Sequence, residues 1–427
     1  MEKPHTIEIM SPVGSYESLT AAIQGGAGSV YFGVGKLNMR SKSTQNFTLE
    51  DLKKITGICR ENRLRCYITL NAVIFDEEME EMTAVLEAAV KNGVSAVIAS
   101  DQAVIQLANT IGMEVHLSTQ NNITNTAAVK YYSRYADVMV TARELKLGQV
   151  AAITRAIREQ DIKGPSGKQV RIEVFAHGAL CMAVSGKCYL SLDNYNLSAN
   201  RGECLQLCRR GYRVLDKEDE YELEIDNEYI LSPKDLKTID FLDKIIAAGV
   251  SILKIEGRGR SPEYVKTVTR CYHEAVEAVL EGSFTKEKID GWNGQLATVY
   301  NRGFWDGYYL GRKMGEWSGR YGSQATKRKI YVGKVTNYFA RPGVAELKIE
   351  TQGISTGEAF LITGPTTGVY EGVFDEIRVD LKNTGKASKG DSCSIPVGSL
   401  VRRGDKVFKV VDAAEGGETV EETDETV

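Results

Sequence analysis

Four cysteines, Cys181, Cys188, Cys204 and Cys208, fall within 28 residues, separated by six, fifteen and three residues. Thiols gathered this closely in a reducing compartment suit a soft metal centre, either tetrahedral zinc or an iron–sulfur cluster. The spacing matches neither the paired C-x2-C knuckles of zinc ribbons nor the ferredoxin run, and it lacks the tight three-cysteine loop of radical S-adenosylmethionine enzymes. Gly178, Gly186 and Gly202 flank the thiols, as a backbone bending closely round an inorganic core requires. A cluster, a structural zinc and four ordinary buried thiols all stay open on spacing alone. Cys59, Cys66, Cys271 and Cys393 stand alone on apolar faces and read as small core residues.

The other chemistry-bearing residues are sparse. There are four histidines, His5, His116, His177 and His273, and none lies in an H-E-x-x-H metal motif or beside a G-x-S-x-G elbow. A Cys181–His177 dyad is the nearest thing to a peptidase pair, and it leaves the other three thiols without a use. Triads are assembled in space rather than in sequence, so the missing motif counts only weakly against a peptidase.

The elements that must position these residues are short apolar runs alternating with helical patterns over the first 280 residues. Expected strands are Ile7–Met10, Val30–Phe32, Cys66–Leu70, Ala96–Ala99, Val115–Leu117, Val138–Thr141, Ile172–Phe175 and Ile252–Ile255. Such βα repetition predicts a parallel sheet, and eight units predict a TIM-like (β/α)8 barrel over residues 1–281, with an open doubly wound sheet fitting nearly as well. About 75 residues separate the seventh and eighth strands, well beyond the roughly 30 of one βα unit, so residues 176–228 form a cysteine-rich insertion. Residues 282–326 read as an aromatic and basic linker. Residues 327–411 show short strands broken by turns and predict a small antiparallel β-barrel domain, with a disordered acidic tail from Asp412 to Val427.

Barrel sites lie at the C-terminal strand ends. There the sequence carries Asn38–Met39–Arg40, Thr69 and Asn71, Ser100–Asp101, Ser118–Thr119–Gln120–Asn121, Arg143–Glu144, His177–Gly178 and Glu256–Gly257–Arg258. Polar strand exits locate a site without naming its chemistry.

Composition excludes disordered and fibrous classes: of 427 residues, 42% are hydrophobic and 26% charged. The net charge of −4 argues against nucleic acid until seven acids of the tail are set aside, which leaves the body at 53 − 50 = +3. No apolar run reaches the ~20 residues of a membrane span, and the N-terminus lacks a signal-peptide pattern, so a cytoplasmic protein is expected.

The segment Glu173-Val-Phe-Ala-His-Gly-Ala-Leu-Cys181-Met-Ala-Val-Ser-Gly186-Lys-Cys188-Tyr-Leu-Ser191 resembles, position by position, the signature of the collagenase-like peptidase family of unknown catalytic type, peptidase family U thirty-two. Met10-Ser-Pro-Val-Gly-Ser, Val30-Tyr-Phe-Gly, Asn38-Met-Arg and Leu253-Lys-Ile-Glu-Gly-Arg258 with Ser261-Pro-Glu-Tyr extend the likeness over about residues 7–320. The resemblance implies a tRNA hydroxylase that forms 5-hydroxyuridine at the wobble position without dioxygen, with prephenate as co-substrate. It implies a [4Fe–4S] cluster on Cys181, Cys188, Cys204 and Cys208. The last two match the tRNA branch, while a ligand of the ubiquinone branch further downstream has no counterpart here. Four thiolates would saturate a cubane and leave no open iron, so a catalytic and a bracing role for the cluster both remain open. If prephenate enters the barrel, its two carboxylates need fixed cations. Arg40, Arg143 and Arg258 are the candidates, each with an ion pair to Glu144 or Glu256 as its alternative use. Asn71 joins them as a substrate-binding candidate, and His177 and Glu256 are the candidate proton-transfer groups.

Residues 301–345 carry nine Lys/Arg against two acids, together with nine aromatics. Cations for phosphates beside aromatics for unstacked bases is the pattern of single-stranded RNA sites. Arg312, Lys313, Arg320, Lys327, Arg328 and Lys329, with Arg209 and Arg210 beside the cysteines, are the expected RNA contacts, and some aromatics are expected to be interdomain core instead. The reading is an RNA-modifying hydroxylase, with a peptidase and a non-catalytic zinc-holding RNA-binding protein as the alternatives.

Overall fold

The computed structural model describes residues 7–42, 44–213, 229, 231–311 and 315–413. Seven parallel strands open the fold: β1 (Glu8–Pro12), β2 (Ser29–Gly33), β3 (Arg65–Leu70), β4 (Ala96–Ala99), β5 (Glu114–Leu117), β6 (Val138–Val140) and β7 (Arg171–Gly178). They pair in chain order. A short strand β8 (Asp235–Lys237) pairs antiparallel with the end of β7. Strand β9 (Ile252–Ile255) then lies parallel between β7 and β1 and closes the eight-stranded barrel.

Helices α1 (Tyr16–Gln24), α2 (Asp51–Glu61), α3 (Met79–Asn92), α4 (Gln102–Thr110), α5 (Thr126–Tyr132) and α6 (Leu147–Glu159) follow successive strands. The starts of α1, α4 and α5 are set by side-chain caps: Ser15 accepts from Ser18 N, Asp101 from Ala103 N and Asn125 from Ala128 N. Their apolar faces bury Leu19, Leu52, Ile55, Met82, Leu86 and Val104 against the outer faces of the strands.

Period-2 alternation sends the other residues inward. An apolar cluster of Met10, Tyr31, Tyr67, Ala96, Ile98, Val138 and Ile252 fills the barrel, separate from the helix-facing core. Below it, the first residues of the odd strands form a charged layer. Arg65 pairs with Glu114 at 2.6 Å, and Arg171 pairs with Glu114 at 2.9 Å and with Glu8 at 3.2 Å. This layer closes the N-terminal end of the barrel.

Between β7 and β8 runs the insertion, which contains α7 (Leu190–Tyr195) and all four clustered cysteines. Helix α8 (Leu242–Ala247) lies between β8 and β9, and after β9 come α9 (Pro262–Leu280), with proline at its first position, and α10 (Lys286–Thr298). The expected linker is therefore largely folded. Trp292 and Leu296 of α10 are buried, Trp292 Nε1 donates to Glu274 at 2.8 Å, and β10 (Phe304–Trp305) pairs parallel with β8. Of its aromatics, Trp292, Trp305 and Tyr309 belong to the barrel core.

The C-terminal domain is an eight-stranded antiparallel sheet curled round its own core. Its strands are β11 (Lys327–Phe339), β12 (Val344–Ile349), β14 (Ala359–Gly364), β15 (Gly368–Val373), β16 (Arg378–Val379), β17 (Lys382–Asn383), β19 (Ser392–Pro396) and β20 (Lys406–Asp412), while β13 (Ile354–Ser355) pairs separately with β18 (Lys386–Ala387). Val332, Leu347, Phe360, Phe374 and Val407 make that core. The domain docks on the barrel helices: Gln24 Nε2 donates to Thr367 O at 2.9 Å, Lys266 pairs with Glu371 at 2.8 Å, and Lys329 pairs with Glu263 at 2.8 Å. Asp412 ends β20 and pairs with Lys327 at 2.6 Å, so it belongs to the sheet rather than to a tail; residues 414–427 lie outside the described residues.

Candidate active site at the barrel mouth

Lys254 and Glu256 are two residues apart at the end of β9, so both side chains face the barrel axis. Lys254 Nζ lies 2.8 Å from Glu173 Oε1, deep in the barrel. It also sits 4.6 Å from the centre of the Tyr31 ring. One layer higher, Glu256 accepts from Arg40 Nη2 and from Tyr31 OH, both at 3.2 Å. Burial alone pushes the Glu256 carboxyl upward, but Arg40, Arg143, Arg258 and Lys254 outweigh it and hold it below the usual carboxylate range. At neutral pH Glu256 is thus an anion that anchors cations or accepts a proton.

The cations round it are held differently. Arg258 is buried, with Nη1 donating to Thr69 Oγ1 at 2.9 Å and Nη2 to Asn38 Oδ1 at 3.1 Å. With neutral partners only, burial lowers it to about 10, against the pull of Tyr31 and Glu256. Arg40 lies on the loop after β2, where Asn38 Oδ1 accepts from Arg40 N at 3.1 Å and Asn71 Oδ1 accepts from Met39 N at 3.1 Å. Asn71 therefore shapes the loop that presents Arg40. Arg143 lies over the Phe175 ring at 3.8 Å and donates from Nη1 to Ala179 O at 3.1 Å, while its buried Nε has no partner. An unpaired buried guanidinium N–H is costly unless something arrives to accept from it.

The insertion lies across this mouth. Asn200 O accepts from Val73 N at 3.1 Å and Gly202 O from Ser41 Oγ at 3.2 Å, while Arg201 pairs with Glu78 and lies over the Phe75 ring at 4.1 Å. Gly202 takes φ +81°, and a Cβ there would collide with Asn38 O. The cysteines beside it are free thiols, Cys181 exposed and Cys188, Cys204 and Cys208 half-buried. Burial raises Cys208, Arg209 opposes that, and the charges of Cys181, Cys204 and Cys188 add to it. Cys204 and Cys181, with Glu256, also reinforce the charge of Arg40 against its burial. The four thiols are therefore neighbours of one another and of the mouth. Among the described residues no three His, Cys, Asp or Glu side chains stand in a ready ligating arrangement. The donor chemistry of four free thiols suits a thiolate-bound centre.

Two expected roles change. His177 is not at the rim. The register of β7 against β9 shifts between Phe175 and His177, and this bulge turns the side chain away from the face shared by Glu173 and Phe175. The imidazole lies in a box of Tyr264, Tyr272 and Phe304, and burial together with Lys237 holds it down to about 3. It is neutral at physiological pH and packs rather than transfers protons. Arg209 is a strut: it donates to Leu180 O at 2.7 Å and Pro233 O at 2.8 Å, tying the two ends of the insertion together.

Of the remaining expected RNA contacts, Lys329 is spent on Glu263 and Lys327 on Asp412, and Arg328 is half-buried. Arg210 and Arg320 are exposed, and Arg312 and Lys313 lie outside the described residues. Sequence reasoning missed Tyr31, Glu173 and Lys254. The two-residue spacing of Lys254 and Glu256 was the available signal.

A closed (β/α)8 barrel with polar chemistry at its C-terminal mouth defines an enzyme scaffold. The chain belongs to peptidase family U32, whose family model matches residues 14–319. It is 58% identical over 402 residues to a protein named collagenase from Porphyromonas gingivalis, covering 94% of this chain and 97% of that one. It is 31% identical over 341 residues to tRNA hydroxylation protein P1 of Bacillus subtilis, covering 78% and 77%. It is also 33% identical over 278 residues to the 23S rRNA 5-hydroxycytidine C2501 synthase of Escherichia coli, covering 65% and 40%. Among the described residues no helix is long and apolar enough to cross a membrane.

Proposed function

We propose that the protein hydroxylates C5 of a pyrimidine in RNA, the wobble uridine of tRNA, without dioxygen and with prephenate as co-substrate. The observation that carries this reading is the barrel mouth: an ionised Glu256 among Arg40, Arg143 and Arg258, roofed by an insertion bearing four free thiols. Relatives named for hydroxylation of tRNA and of an rRNA cytidine support the reaction class. Hydroxylation turns C5–H into C5–OH, a two-electron oxidation of the base, and in this reading prephenate is the required co-substrate. The unpaired Arg143 Nε and the Arg40 guanidinium would take its carboxylates, since arginine suits bidentate anion binding. Cys181, Cys188, Cys204 and Cys208 would hold a [4Fe–4S] cluster, which supplies redox or bracing chemistry when bound. Glu256 would orient Arg40 and accept a proton at Oε1 or Oε2.

The peptidase reading has the collagenase name of a close relative in its favour. Among the described residues it has no accessible histidine base: His177 is enclosed by aromatic rings, His116 sits inside the barrel with its Nε2 3.0 Å from Glu114, and His273 pairs with Glu277 on α9. The test is nucleoside analysis of tRNA from cells lacking the protein. The expected result is loss of 5-hydroxyuridine and its derivatives, restored by the wild-type gene and not by Cys181→Ala or Glu256→Gln. An unchanged nucleoside profile in the deletion strain overturns the reading.

A further inference from the structure

Large side chains usually hide, yet the insertion displays them. Tyr189 is 73% exposed, Tyr195 49% and Tyr321 70%, with Met182 and Val184 also exposed nearby in the chain. Tyr189 and Tyr195 flank and end α7, so both belong to the roof over the barrel mouth. Tyr321 comes from a distant stretch that is pinned beside the insertion's return. Ser318 N donates to Ser232 O at 2.7 Å, Lys234 N donates to Glu316 O at 2.9 Å, and Pro233 forms a β-bridge with Trp317.

Arg210 links the two stretches. Its Nη1 donates to Tyr195 OH at 3.3 Å, its guanidinium lies 6.0 Å from that ring, and Tyr212 and Tyr321 are also among its neighbours. Arg320 is exposed next to Tyr321. Over residues 178–213 Arg201 is paired with Glu78, Arg209 with backbone carbonyls and Glu203 with Lys42 at 2.7 Å, which leaves Lys187, Arg210 and Arg213 against Asp193. The insertion and the stretch pinned to it thus combine open aromatic rings with a small surplus of positive charge.

Flat exposed rings with interspersed arginines are what unpaired nucleotides bind: the rings stack on bases of any identity and the cations meet the phosphates. We propose that Tyr189, Tyr195 and Tyr321, with Arg210 and Arg320, form a stacking platform for the unpaired nucleotides that flank the base entering the barrel. The proposal rests on the RNA reading above and adds to it the surface that holds the strand and the form of RNA it takes, an unpaired stretch rather than a duplex.

The test uses the full chain and a fluorescently labelled anticodon stem-loop RNA, with binding followed by anisotropy across a salt series. Each of Tyr189→Ala, Tyr195→Ala and Tyr321→Ala is expected to weaken binding about 5- to 150-fold, the range of one lost base–aromatic stack. Tyr→Trp at the same positions is expected to preserve it. Arg210→Ala is expected to lower the slope of log affinity against log salt by about one. Circular dichroism melts of these surface variants should coincide with wild type. If wild type binds the RNA and the tyrosine variants bind equally well, the platform is wrong while the RNA reading stands. If wild type binds neither the loop nor an unpaired oligonucleotide, both fall. A protein partner captured on this face that excess RNA does not displace also overturns the platform.

Discussion

Lys254→Met removes the lysine that pairs with Glu173 at the centre of the barrel. Glu173 has no exposed surface, its Oε1 lies 2.8 Å from Lys254 Nζ, and its Oε2 has no hydrogen-bond partner, with His116 Nδ1 at 3.8 Å. Breaking a buried pair by deleting one partner costs about 3–5 kcal/mol, because the remaining charge keeps its desolvation penalty. Removing both charges by Lys254→Met with Glu173→Gln should recover most of that loss. Urea unfolding read by tryptophan fluorescence isolates the barrel, since Trp292, Trp305 and Trp317 all precede the β domain. With a slope of about 3 kcal/mol/M or more, the midpoint of the single variant should fall by about 1 M. The pH dependence gives a second reading. In the wild type, burial raises Glu173 but Lys254 and His116 lower it further, so its stabilising effect is present above the ordinary carboxylate range and fades as pH falls. In Lys254→Met burial dominates and the folded pKa is raised, so the gap to wild type should narrow as pH drops. A midpoint within about 0.3 M of wild type, or a double variant as unstable as the sum of the singles, refutes the reasoning.

Other outcomes follow from the same geometry. Glu114 is held at about 2 by His116, Arg65 and Arg171 despite its burial, so it stabilises above about pH 4.5 and loses that effect toward pH 2. Its worth is about 3 kcal/mol at most, and Glu114→Gln should flatten acid unfolding followed by circular dichroism across that window. His177→Phe should fold and keep RNA modification within a few-fold of wild type, and the wild-type pH–rate profile should show no step traceable to His177 between pH 5 and 9. Gly202→Ala should loosen the insertion from the Asn38 loop, measured as faster protease cleavage within residues 178–213 at nearly unchanged melting temperature. Protein purified without oxygen should carry about four iron and four sulfide per chain, and Cys181→Ala should carry much less; zinc in their place would remove the cluster from the account.

Much of the barrel is legible because buried parallel strands are short apolar runs. Ala96–Ala99 and Ile252–Ile255 coincide with observed strands, and β1, β2, β3, β5 and β6 differ by only one or two residues at an end. Strand β7 runs three residues past its expected end, and with it comes the bulge that decides where His177 points. No single sequence marks that bulge, because it arises from the pairing of β7 with β9. Arg209 and Lys329 show the same limit. A basic residue beside a cysteine or in an aromatic stretch has the same composition whether it meets phosphate, a carbonyl or a glutamate across a domain interface. The helix α10 was obscured by its two internal glycines, Gly291 and Gly294, and becomes stable by burying Trp292 and Leu296.

The most direct test is the reaction itself with purified, cluster-loaded protein, unmodified tRNA transcript and prephenate in the absence of dioxygen. Mass spectrometry of the digested RNA should show 5-hydroxyuridine that requires prephenate and is lost in Glu256→Gln. An RNA without any hydroxylated nucleoside, together with collagen cleavage that survives Cys181→Ala and metal removal, would contradict the account and return the protein to the peptidases.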